Sequence, residues 1–303
     1  MNQPMVRAVF GTAPMPNGTA LHLKAHYPAL YGGTLNERNT GMIPADLSQG
    51  PRPVAVIMPG INVAHESYAW LSTALVGAGF VAITYGWICE ELPGLPALSP
   101  GLDVTALKPD AYGTRPSSTA LAPLLDWLAE ANAQGPLAGL LDLKRIVLGG
   151  HSAGGSVALM NADPDWFPGL RGVWSYGAHS KASTMLGYPE DTVLSLPGKL
   201  PTLLIGGDQD GVVAASAFRY GAAEGADPDP VGPLRRTLDE GLAAASAPSE
   251  LRIIKGANHF SACYPADPAT GRPFLDWPCQ RDDAEIRAEL ATAITEFSVS
   301  AVS

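Results

Sequence analysis

Gly150-His151-Ser152-Ala153-Gly154 stands at the boundary between two kinds of hydrophobic pattern. Before it, Arg145-Ile146-Val147-Leu148-Gly149 reads as a short buried strand; after it, Gly155-Ser156-Val157-Ala158-Leu159-Met160 reads as the opening of a helix. The pentapeptide fits the pattern G-x-S-x-G. A serine at such a strand-to-helix turn is held in a strained backbone conformation that points its hydroxyl out at the end of the sheet. The residues two before and two after the serine nearly touch, which suits glycine at 150 and 154. Glycine and serine are common, so the pentapeptide takes its weight from the elements that flank it.

Away from this turn the chain alternates apolar strands with helical stretches. Strands are expected at 6–10, 20–27, 53–58, 80–85, 145–149, 172–176, 202–206 and 250–255, and helices at 66–77, 117–133, 153–161, 213–223 and 283–297. This alternation implies an α/β fold: a mostly parallel eight-stranded sheet with helices on both faces, all within one domain over 1–303. The first two strands have no helix between them and form an antiparallel edge. Two stretches break the alternation, 86–116 and 225–248, both rich in proline and glycine. Long irregular segments of this kind either cover a site as a lid or decorate the solvent face.

The 303 residues are 46% hydrophobic and 16% charged, enough to bury a large core. The net charge of −10 leaves no positive field for nucleic acid or for anionic lipid. Residues 1–7 lack the basic start and apolar run of a secretory signal, so a cytoplasmic location is expected. Residues 67–89 carry no charge and are long enough to span a bilayer, but Gly77 and Gly79 divide them into a helix-like and a strand-like half, and a buried helix–strand unit is preferred. The three cysteines, Cys89, Cys263 and Cys279, have no metal-ligand spacing. They read as reduced thiols, with a Cys263–Cys279 bridge as the alternative. No metal and no organic cofactor is implied, and nothing fixes an oligomeric state.

A serine hydroxyl is a poor nucleophile until a base takes its proton, so a histidine and an acid are required. Enzymes on a doubly wound sheet that carry this turn run in chain order serine, acid, histidine. Of six histidines, His22 and His26 lie on the first hairpin and His65 opens a helix. His151 adjoins the serine but points away from it, and His179 precedes any acid. His259, just beyond the last strand, remains. The acid belongs after the strand at 202–206, where Asp208 and Asp210 compete; Asp210 lies deeper in the loop and is preferred, with Asp208 orienting the backbone. Two amides would bind an oxyanion: that of Ala153, directly after the serine, and that of Ile61, in the loop Met58-Pro59-Gly60-Ile61-Asn62-Val63. The Asn62 side chain reads as an extra donor or as a plain cap.

With these residues in place the chain resembles the α/β-hydrolase superfamily. Within it, the likeness is to lipases and esterases that include bacterial polyester-hydrolysing cutinases, chlorophyllases, and platelet-activating-factor-acetylhydrolase-like or dienelactone-hydrolase-like proteins. Pro59-Gly60-Ile61 through Glu66-Ser67-Tyr68-Ala69-Trp70-Leu71, the Ser152 turn, Gly206-Gly207-Asp208-Gln209-Asp210 and His259-Phe260 carry the resemblance. It implies an esterase with Ser152, Asp210 and His259 as its catalytic residues and a small-molecule ester as its partner. Tyr176-Gly177-Ala178-His179 falls where those enzymes place a substrate wall, so Trp174 and His179 are expected at the acyl group. Trp87 and Phe260 are further expected contacts in an aromatic-lined cleft. The two irregular stretches and the missing secretory signal depart from the cutinases and favour a small, largely apolar molecule inside the cell. A thioesterase, lactonase or acyltransferase would use the same groups, and a non-catalytic ligand-binding protein of this fold is the remaining alternative.

Overall fold

Val54-Ala55-Val56-Ile57-Met58 is apolar at every position, the pattern of a strand covered on both faces, and all five residues are buried. The computed structural model describes residues 5–92, 94–223 and 225–303. Its strands are β1 (Met5–Pro14), β2 (Ala20–Ala29), β3 (Arg52–Met58), β4 (Val81–Gly86), β5 (Ile88–Leu92), β6 (Leu95–Leu98), β7 (Leu141–His151), β8 (Leu170–Tyr176), β9 (Thr202–Gly207) and β10 (Ser249–Ile254). Eight of them form one sheet in the order β1-β2-β4-β3-β7-β8-β9-β10. Pairing is antiparallel for β1–β2 and β2–β4 and parallel from β4 to β10. All eight expected strands are present, in the mostly parallel arrangement that the alternation implied.

Strand period sorts the core into two layers. Val54, Val56 and Met58 of β3, with Ile146 and Leu148 of β7, face α3 (Leu121–Ala133) and α4 (Ala153–Met160). Ala55, Ile57 and Val147 face the opposite way, against α2 (Ala69–Gly77) and α7 (Asp283–Val302), which contribute Leu71, Leu75, Ile286 and Leu290. The uncharged stretch 67–89 is therefore a short helix followed by a central strand. Among the described residues no helix is long and apolar enough to cross a membrane.

The shorter helices depart most from expectation. The 213–223 helix is only α5 (Gly211–Ala215), because the Ser216 hydroxyl donates back to the Val212 carbonyl and a 3₁₀ turn (Ala217–Tyr220) follows. An unexpected helix, α1 (Leu35–Thr40), is held by a reciprocal capping box between Thr34 and Glu37. The 86–116 stretch contains the β5–β6 hairpin and a 3₁₀ turn (Val104–Leu107), and two of its leucines reach the cavity described below. The 225–248 stretch contributes none of the described cavity-lining residues. It folds into α6 (Gly232–Arg236) and a π turn (Thr237–Gly241), and buries Leu234 and Leu242. Those two leucines pack this stretch against the body of the fold.

Trp174 on β8 belongs to the α2/α7 layer, and its ring lies across the backbone of Gly149 on β7. A Cβ at 149 would come 1.9 Å from Trp174 Cε2. Gly149→Ala is thus expected to lower stability by about 1–3 kcal/mol through overpacking. Chemical denaturation checks this: the midpoint should fall with an unchanged slope, and an unmoved midpoint contradicts the packing.

Candidate active site

The loops that matter leave the carboxyl ends of adjacent parallel strands, where open α/β sheets place their ligands. Ser152, between β7 and α4, has φ 55° and ψ −127°, a conformation that side-chain-bearing residues rarely adopt. Its neighbours make this turn sterically feasible. A Cβ on Gly154 would sit 2.3 Å from the Met58 carbonyl oxygen, and one on Gly150 would sit 2.5 Å from the Gly154 backbone. The carboxyl end of β3 and the first turn of α4 therefore meet as bare backbone. Ala153 opens α4, so its N–H is among the helix's unsatisfied donors.

The loop after β3 is tied to this turn by a short relay. The Gly60 N–H donates to the Tyr68 hydroxyl at 3.0 Å, and that hydroxyl is hydrogen-bonded to His151 Nδ1 at 2.9 Å. Burial pushes the His151 pKa well below its ordinary value, which favours the neutral ring. Ile61 lines the cavity beside Ser152. Asn62, at φ 58°, also lines it, but its amide donates to the Leu98 carbonyl at 2.8 Å and its Oδ1 accepts from the Leu98 amide at 3.2 Å. This residue fastens the loop to the β5–β6 hairpin.

Asp210 and His259 come together from loops 49 positions apart, both almost fully buried. The His259 Nδ1–H donates to Asp210 Oδ2 at 2.8 Å, while Oδ1 of the same carboxylate accepts from the Val213 amide at 2.8 Å at the start of α5. The donated proton fixes the tautomer, leaving Nε2 of His259 as the acceptor. Asp208 takes another part: its Oδ1 accepts from the Gly256 amide at 2.6 Å and so holds the β9 loop to the β10 loop.

Ser152, His259, Ile61 and Ala153 all line one cavity of about 510 Å³. Its apolar wall includes Leu102, Leu107, Met160, Leu186 and Leu194. His179 and Phe260 line it as expected. The His179 Nδ1 accepts from the Lys181 amide at 3.2 Å, and burial pushes its pKa down to about 4. The Phe260 ring stands edge-on to His259 at 5.3 Å. Trp174 and Trp87 are not among the lining residues. Trp174 is core, on the face set by strand period. Trp87 is buried in the other layer, with Nε1 donating to Thr19 Oγ1 at 2.7 Å.

Asp276 is a contributor that the sequence did not reveal. Its Oδ1 accepts from the amides of Gly211 at 3.0 Å and His259 at 3.2 Å, and its Oδ2 from that of Phe260 at 3.0 Å. One carboxylate thus clamps the acid loop to the histidine turn. Cys263 and Cys279 are free thiols, not bridged to one another, and burial pushes Cys263 up to about 12. Among the described residues no group of three or more His, Cys, Asp or Glu is placed to hold a metal ion.

No family model and no curated sequence matches the chain. Solved structures do. A ferulic acid esterase from Streptomyces cinnamoneus is 15% identical, with TM-score 0.58 over 100% of this chain and 91% of that one. A bacterial brefeldin A esterase is 13% identical, with TM-score 0.57 over 100% and 79%. An S-formylglutathione hydrolase from Agrobacterium tumefaciens is 10% identical, with TM-score 0.55 over 100% and 97%. The chain has the α/β-hydrolase fold. Within this α/β-hydrolase fold, the mostly parallel eight-stranded sheet, its antiparallel edge and the Ser152 turn agree with the expectation drawn from the sequence.

Buried neutral histidines also set the acid limit of the fold. His26 and His179 both fall from 6.5 to about 4, chiefly through burial, and His151 is lowered as well. The unfolded chain then binds protons that the folded chain refuses, so stability is lost as pH falls from about 6.5 towards about 4. Denaturation midpoints measured across that window should drop with pH, and a constant midpoint contradicts the burial of these rings in neutral form.

Proposed function

We propose that this chain is a serine hydrolase of carboxylic esters. Ser152 attacks the ester carbonyl while His259 Nε2 takes its proton, and the amides of Ile61 and Ala153 receive the oxyanion. The imidazolium then returns the proton to the leaving alkoxide, giving an acyl-Ser152 and the free alcohol. Water, deprotonated by the same imidazole, releases the acid and restores the serine. Asp210 remains ionised throughout, holding the ring in one tautomer and offsetting its positive charge.

The observation that carries this reading is the hydrogen bond between buried Asp210 and His259, facing a cavity that also holds a serine in the strained turn. The structural neighbours, a ferulic acid esterase, a brefeldin A esterase and an S-formylglutathione hydrolase, point the same way. The apolar wall suits a small, largely apolar acyl or alcohol group.

Turnover of para-nitrophenyl esters tests the roles. Mixing enzyme with excess ester should release a burst of about one nitrophenol per chain wherever deacylation is slower than acylation. Asp210→Asn should lower kcat by about 10³-fold or more through the wrong tautomer, whereas Asp208→Asn, which alters only a loop contact, should cost far less. The reverse order reassigns the acid. Activity should also fall on the acid side, because a protonated imidazole takes no proton from serine; a flat acid limb removes His259 from the reaction.

A further inference from the structure

The chain carries a net charge of −10, yet no aspartate or glutamate is among the described residues lining the cavity, while Lys181, Arg219 and Arg272 are. Lys181 is already paired, its Nζ 2.7 Å from Asp191 Oδ1. The two arginines have no carboxylate within ion-pair distance among the described residues. The Arg219 guanidinium lies over the Phe218 ring at 5.8 Å. Arg272 is half-buried, and its Nη1 donates to Ser216 Oγ at 3.1 Å. Its preceding residue, Gly271, is close to the loop expected to bind the oxyanion: a Cβ there would stand 3.8 Å from the Ile61 carbonyl oxygen and 3.7 Å from Phe260.

A half-buried guanidinium without a counter-ion is costly unless something else supplies the charge. Burial, and then the charge of Arg219, pull the Arg272 pKa below the ordinary guanidinium range, so the two cations feel one another. The carboxylate that reaches Arg272 electrostatically is Asp210, which is committed to His259 and the Val213 amide. With Asp210 so committed, both guanidiniums, carried by residues that line the cavity, keep donor capacity for another anion.

We propose that Arg272 and Arg219 form an anion subsite, and that the ester cleaved here carries a carboxylate in addition to its apolar body. This rests on the serine-hydrolase reading for the word ester, but the subsite itself does not. The planar guanidinium fork matches a carboxylate in two-point contact, whereas a neutral ester would leave both cations unanswered.

Two matched pairs test it: para-nitrophenyl adipate monoester against its methyl ester, with the anion on the acyl side, and para-acetoxybenzoate against its methyl ester, with the anion on the alcohol side. In at least one pair kcat/KM should favour the carboxylate about ten- to hundredfold, the range of a charge-assisted hydrogen bond. That ratio should shrink about tenfold in Arg272→Gln, shrink also in the exposed-site variant Arg219→Gln, and fall with added salt. Preference for the neutral ester in both pairs, or a ratio untouched by either variant, overturns the proposal. Binding is read separately in the Ser152→Ala protein, where adipate or para-hydroxybenzoate should raise Tm. Loss of that shift on adding Arg272→Gln supports the subsite even if no ester is turned over, in which case the hydrolase reading alone has failed. Absence of any shift overturns the subsite.

Discussion

The close approach of two backbones, the end of β3 against the first turn of α4, is the constraint from which the site follows. Gly154 lies so near the Met58 and Pro59 carbonyls that no side chain fits between them. That proximity forces Ser152 into its strained turn and sets the β3 loop, with Gly60 and Ile61, beside the serine. The serine and the amides expected to bind the oxyanion are therefore placed by one packing contact. Strain of this kind costs on the order of 1–3 kcal/mol and persists only where surrounding structure over-determines it. Here the β7–β8 ladder does so: it runs to His151–Tyr176 and is extended by the Ser152 amide donating to the Tyr176 carbonyl at 2.9 Å.

The other half of the site is organised by side chains hydrogen-bonded to the backbone of neighbouring loops. Asp208 joins the β9 and β10 loops, Asp276 clamps the β9 loop to the histidine turn, and the Tyr176 hydroxyl donates to the Asn258 carbonyl. Asp276 is half-buried, and burial pushes its pKa up while the amides of Phe260 and His259 oppose the shift. These contacts leave Asp210 free for a single partner ring. The division explains why two aspartates stand so close in sequence: Asp210 faces the imidazole, and Asp208 fixes the loop that presents it.

Much of this was legible in the chain because the signals were local. The central strands of the main sheet read correctly from runs apolar on both faces, its edge strands from shorter apolar stretches, and the serine turn announced itself through strand, glycines and helix. The order serine, acid, histidine then left Asp210 and His259 as the pair that the structure brings into contact. The Thr34-x-x-Glu37 capping box was also present in the sequence, but α1 is too short to show a helical period. Trp174 was misplaced because strand period says only that it shares a face with Tyr176, not which face meets the cavity. Asp276 gave no signal, since its contacts lie 16 to 65 positions away and involve amides that carry no side-chain identity. The unpaired character of Arg219 and Arg272 is likewise a property of space and not of spacing.

Covalent capture provides the sharpest trial of the proposed roles, Ser152 as nucleophile and His259 as its base. Treatment with a fluorophosphonate, followed by peptide mass mapping, should give one adduct per chain, carried by the peptide that contains Ser152, and labelling should slow by orders of magnitude in His259→Gln. An adduct on a different residue, or undiminished labelling of Ser152 without the imidazole, contradicts the account.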